Sequence, residues 1–215
     1  MAMSDEQQPT PGPLSGNEAV NRAAREWQKS AKQNIPAFGD LPVPDDTANL
    51  REGPNLHDGL LALLPLVGVW RGTGQADTPE DGEYSFGQQL VVAHDGENYL
   101  SFQSRTWHLD DEGNATRLGE RESGFWRIGT DDEIEVVLTH STGVSEIMYG
   151  TPLNERSWQL SSASTMVTER GPKNLGPGKR LYGLMPNNHL GWVDERLVGE
   201  ELHPRMSAEL QRVIG

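Results

Sequence analysis

From Val67 onward, apolar and polar residues alternate with a period close to two; before it they do not. The alternation is clearest in Glu133-Ile134-Glu135-Val136-Val137-Leu138, which puts Ile134, Val136 and Leu138 on one face of a strand. Ten strands are predicted, over 67–75, 83–94, 98–109, 117–129, 133–140, 144–151, 157–164, 179–186, 189–198 and 206–214. Asp95-Gly96 and Pro186-Asn187-Asn188 are hairpin signals, and Ser141-Thr142-Gly143 is a short loop. Short antiparallel strands with regular turns make a sandwich or an up-and-down barrel. The first strand favours the barrel. In Gly68-Val69-Trp70-Arg71-Gly72-Thr73-Gly74, the three glycines and the indole share one face. Such a strand can bend sharply or admit another backbone closely, as the corner of a closing barrel requires. The predicted fold is all-β, either a sandwich or a ten-stranded antiparallel up-and-down β-barrel of lipocalin-like type, the latter wide enough for a ligand cavity.

Upstream the pattern changes. Leu56, Leu60, Leu61, Leu63 and Leu64 are apolar around most of a short helix capped by Asn55 and ended by Pro65, a plug or lid for the sheet. Ser15 and Glu18 form a capping box for a helix over about 16–33, with a narrow apolar stripe through Ala19, Val20, Ala23, Ala24, Trp27 and Ala31. Residues 1–14 are polar and Pro-rich, without the apolar core of a signal peptide, and are expected to be disordered. Residues 35–54 read as a proline-stiffened linker. The expected division is an N-terminal extension over 1–53 and a barrel domain over 54–215.

Composition narrows the function. The formal charge of −14 argues against nucleic acid and against anionic membranes. No apolar run approaches the ~20 residues of a membrane span. The absence of cysteine removes disulfides, thiolate catalysis and cysteine-held metals, and fits a cytoplasmic setting. No nucleophile elbow, phosphate loop or dinucleotide fingerprint is present, and the six histidines stand in no metal-binding spacing. The carboxylates are scattered and read as a solvated surface. His140 continues the inward phase of Leu138, so it either touches a ligand at the barrel mouth or caps a turn. His94 flanks the Asp95-Gly96 turn, His57 lies in the first turn of the short helix, and His108 and His189 read as surface positions.

The stretch Gly68–Gly74 resembles the G-x-W-x-G-x-G signature of the nitrobindin family. Leu90-Val91-Val92-Ala93-His94, Glu135–Gly143 and the C-terminal Arg205-Met206-Ser207-Ala208-Glu209-Leu210-Gln211-Arg212-Val213 resemble it too, so the likeness covers about 56–215. It implies a ten-stranded barrel holding ferric heme b, associated with isomerising peroxynitrite to nitrate. It also implies iron held by a histidine in a C-terminal H-L-x-A-x-L-x-R pattern. Here Arg205 stands at that position. A guanidinium has five donors, no lone pair to offer, and stays protonated, so it cannot serve as an axial ligand. His203, two residues earlier, is the alternative ligand, although Pro204 disturbs regular strand geometry there. Strand alternation groups Arg205 with Ser207 and Glu209, facing outward, unless a kink precedes the strand.

Three readings follow. The first is a nitrobindin-like barrel without iron coordination, with no cofactor, catalytic residue or metal ligand expected, and with a pocket for a small apolar ligand near His140, His203 and Arg205. The second is a heme b protein, a peroxynitrite isomerase using His203 or His140. The third is an interaction protein acting through the helix at 16–33.

Overall fold

The computed structural model describes residues 15–30, 45–172 and 175–215. The chain divides into two units, 1–43 and 44–215. In the first, helix α1 (Gly16–Ser30) is capped as the sequence implies: Ser15 Oγ and Ser15 N donate to Glu18 (2.8 and 3.0 Å), and Glu18 N returns a bond to Ser15 Oγ. The predicted continuation to Gln33 lies outside the described residues.

The second unit holds all ten strands: β1 (Gly68–Thr78), β2 (Gly82–Ala93), β3 (Leu100–Leu109), β4 (Ala115–Ile128), β5 (Ile134–His140), β6 (Val144–Asn154), β7 (Ser157–Val167), β8 (Gly178–Leu184), β9 (Leu190–Val198) and β10 (Glu201–Ile214). Each pairs antiparallel with its neighbour in sequence, and β1 with β10 closes the barrel. At that seam glycine is required by space. A Cβ on Gly72 would lie 2.0 Å from Glu209 O, and one on Gly74 2.2 Å from Ser207 O. Two backbones approach there as only residues without side chains permit. β10 begins at Glu201, five residues before the expected start, and its register slips between Pro204 and Met206.

One end of the barrel is plugged. The expected short helix is a 3₁₀ helix over Asp58–Leu66; it is not capped by Asn55, and Pro65 lies inside it and does not end it. His57 is the cap, its Nδ1 accepting from Gly59 N at 3.0 Å. Three residues per turn stack Leu60, Leu63 and Leu66 on one face. All three are buried, and Leu61 and Leu64 are turned outward. The tight helix leaves carbonyls without helical partners, and the barrel wall supplies donors. Trp158 Nε1 bonds Ala62 O, Trp70 Nε1 bonds Leu66 O, and the Arg212 fork bonds Pro65 O and Val67 O (2.6 and 2.9 Å). The same guanidinium lies 4.2 Å over the Trp70 ring. Above the plug, Leu90, Leu100, Ile134, Leu160, Leu190 and Leu210 fill the interior. No helix among the described residues is long and apolar enough to cross a membrane.

Arg212→Ala is expected to destabilise the barrel by about 2–4 kcal/mol, since two carbonyls lose their donors. Arg212→Lys restores less than half, because an ammonium cannot fork. Urea midpoints measure both; an alanine variant within about 0.5 kcal/mol of the parent would refute this anchoring role.

Candidate functional site

Away from the plug, the inward positions stop being apolar. Along β4 they run Trp126, Gly124, Glu122 and Glu120; along β8, Tyr182 then Arg180; along β9, Trp192, Asp194 and Arg196; along β5, Leu138 then His140. The aromatic tier packs edge to face, with Trp126 and Tyr182 centroids 5.2 Å apart, and Tyr182 stacks on Trp192. Beyond it lies a buried ion-pair network. Arg180 grips Glu122 with both arms (2.6 and 3.1 Å) and reaches Asp194 at 3.2 Å. Arg196 grips Glu146 likewise (2.5 and 3.0 Å) and also holds Asp194 at 3.0 Å. Forked pairs of this kind are the strong ones, and a buried charge survives only with such partners.

The scattered carboxylates were expected on a solvated surface. The structure corrects this for Glu122, Glu146 and Asp194, which the closed topology gathers inside. Their signal was phase: Glu146 alternates with the inward Val144 and Met148, and Asp194 and Arg196 with Trp192. His140 faces inward as its phase implied, with Nδ1 3.2 Å from Glu122 and Nε2 3.2 Å from Glu146. Burial alone would raise the Glu122 carboxyl, but Arg180 and His140 outweigh it and hold it at about 2. Glu146 is likewise pushed up by burial and pulled further down by His140 and Arg196, to well below the carboxylate range. Burial lifts the Tyr182 phenol to about 12 against the pull of Arg180, so it stays neutral.

Arg205 is the residue at the register slip, unpaired in the ladder between Pro204 and Met206. A bulge re-aims a side chain, and here it reverses the outward phase that alternation gave. Arg205 Nη2 donates to Glu120 at 2.7 Å, and Nη1 lies 3.7 Å from Asp194. His203 stays outside, its side chain 56% exposed and 4.0 Å from Glu201.

Around Arg205 the barrel opens. A mouth cavity of about 820 Å³ is lined by Tyr84, His108, Arg117, Leu118, Pro172 and Arg205, among others. A second, of about 310 Å³, carries His203 and Arg205 on its wall, and inside Arg205 only about 10 Å³ remains, among Gln88, Glu122, Trp192 and Asp194. His108, expected at the surface, is buried: its ring stacks on Tyr84 with centroids 3.9 Å apart, and its Nε2 lies 3.8 Å from Asp81. Asp81 is in turn held by Arg117 at 2.6 Å. His189 is half-exposed and bonds Glu209.

The low Glu122 and Glu146 carboxyls fix the sign of an acid response. Both are lower in the folded state than in the unfolded chain, so their stabilisation is complete above about pH 4.5 and is lost as pH falls toward about 2. For Glu122 the loss is on the order of 3 kcal/mol. Thermal midpoints measured from pH 6 to 2 should fall through that window, and Glu122→Gln should start lower at pH 6 and fall less. A flat parental profile would contradict this account.

With this geometry in view, comparison with known proteins is informative. Residues 59–212 match the family described as the THAP4-like, heme-binding beta-barrel domain. The chain is 75% identical to a ferric nitrobindin-like protein of Corynebacterium diphtheriae, over 99% of this chain and 93% of that protein. It is 50% identical to peroxynitrite isomerase 2 of Mycolicibacterium vanbaalenii, over 94% of this chain and 99% of that one. The crystal structure of Rv2717c from M. tuberculosis superposes with a TM-score of 0.63 at 27% identity, covering 74% of this chain and 99% of that one. The family's group is tested by the donors present. Arg205 has no lone pair and is spent on Glu120 and Asp194, and His140 has both nitrogens against carboxylates, so neither fits an axial role toward heme iron. The closed ten-strand barrel, the glycine-tryptophan seam and these matches together place the chain in the nitrobindin family of THAP4-like β-barrels.

Proposed function

We propose that this barrel works without coordinating heme iron, as a binding module that takes a small, largely apolar ligand at its mouth. One observation carries the reading. Where the family pattern has its ligating histidine, this chain has Arg205, a guanidinium held by Glu120 and Asp194. The mouth cavity, about 820 Å³, has the size of small-molecule sites. Its Tyr84–His108 stack, Leu118 and Pro172 offer apolar surface.

A second reading, a ferric heme b protein with peroxynitrite isomerase activity, is favoured by the name of the M. vanbaalenii relative. In it His203 is the better ligand, since it lies on the wall of the second mouth cavity and His140 is spent on two carboxylates.

Hemin titration separates the two. The parent protein should give no saturable one-to-one Soret band, and Arg205→His should acquire one characteristic of histidine ligation. A stoichiometric band in the parent that vanishes in His203→Ala would establish the second reading instead.

A further inference from the structure

His94 follows β2 at the plugged end, and its surroundings have no role in the mouth chemistry. Its backbone makes an isolated bridge with Thr47: Thr47 N donates to His94 O at 2.8 Å, and His94 N to Thr47 O at 3.0 Å. Thr47 belongs to the strap 45–53 that leads into the plug. Asp46 on the same strap accepts from Ser101 Oγ of β3 at 2.8 Å.

The His94 residue is 1% exposed, yet neither ring nitrogen has a hydrogen-bond partner in the protein. Buried polar groups are nearly always paired, so this ring needs a physical reason. A neutral imidazole tolerates such a site at moderate cost, but an imidazolium, with a full charge and two donors, does not. Two carboxylates act on the ring, Asp95 from the turn after β2 and Asp46 from the strap, and both favour its charged form. Burial outweighs them and holds His94 below the usual imidazole range. In the closed arrangement both carboxylates are engaged away from the ring. Asp46 serves Ser101, and Asp95 accepts from Tyr99 Oη at 2.5 Å and from Glu97 N at 3.0 Å. A proton on His94 therefore meets no hydrogen-bond acceptor in the closed arrangement.

We propose that His94 and the strap 45–53 form an acid-operated latch on the closed end of the barrel, in which protonation of the ring releases the Thr47 bridge. The sign follows from linkage. The released ring binds a proton near the ordinary imidazole value, about 6.5, and the latched ring binds it less readily, so the latch holds at neutral pH and weakens below that value. Between the two values its opening equilibrium grows about tenfold per pH unit. The Arg212 fork bonds Pro65 O and Val67 O and makes no hydrogen bond to the strap.

The test is amide hydrogen exchange on the full chain between pH 8 and pH 5, corrected for intrinsic rates, with the ring nitrogens of His94 titrated by NMR in the same samples. Protection of the Thr47 and His94 amides should fall about tenfold per unit below pH 6.5, in step with ring protonation, and barrel amides such as those of Val136 and Trp192 should stay unchanged. In His94→Phe the strap amides should lose that dependence. A parent whose ring takes up its proton with no change at Thr47, or a phenylalanine variant that keeps the parental pH response, would overturn the proposal.

Discussion

A guanidinium inside a barrel cannot stand alone, and the mouth half of this molecule is arranged around that constraint. Arg180, Arg196 and Arg205 bring three positive charges inward from three consecutive strands. Glu120, Glu122, Glu146 and Asp194 answer them, and Asp194 serves all three. Four carboxylates meet three guanidiniums, and the remaining group is the His140 ring between Glu122 and Glu146. Taking one partner from such a set leaves a buried charge uncompensated, at a cost of about 3–5 kcal/mol. The eight side chains are linked through shared partners, with Asp194 common to all three arginines.

The plugged end solves a different problem. There the difficulty is backbone carbonyls, because a short 3₁₀ helix leaves several without partners. Two indoles and one arginine of the wall supply the missing donors, so the apolar packing of Leu60, Leu63 and Leu66 is not undone by unpaired polar atoms. Trp70 thus acts in two ways, filling the barrel floor and bonding Leu66 O. That explains why the glycines follow it: Gly72 and Gly74 let β10 close over the same corner.

Much of this was legible in the sequence, and the failures have identifiable causes. Period-two alternation located all ten strands because each has one face in a core; the seam glycines and the inward phase of His140 were likewise visible. The helical type of the plug was not, since leucines around every face fit either helix and Pro65 is tolerated inside the 3₁₀ turn. The ion network was missed because its members lie on six strands, and each reads alone as a solvated charge; only barrel closure makes them neighbours. Arg205 was turned the wrong way by simple alternation, which a single slipped residue after Pro204 reverses. His108 was hidden for a related reason: its burial depends on Tyr84 in the adjacent strand, a cross-strand relation the linear sequence does not display.

These constraints bear on what the proposed mouth site would select. Two of its charged pairs are already made, Arg117 with Asp81 and Arg205 with Glu120. A strongly ionic ligand would have to compete with those pairs, and gains little from doing so because it exchanges one set of charge contacts for another. An apolar or weakly polar ligand faces no such exchange; it covers the Tyr84–His108 stack and Leu118, and leaves the pairs intact. Arg205 borders all three cavities, the large mouth, the smaller one beside it and the inner remnant. It is therefore the partition between solvent and the buried network.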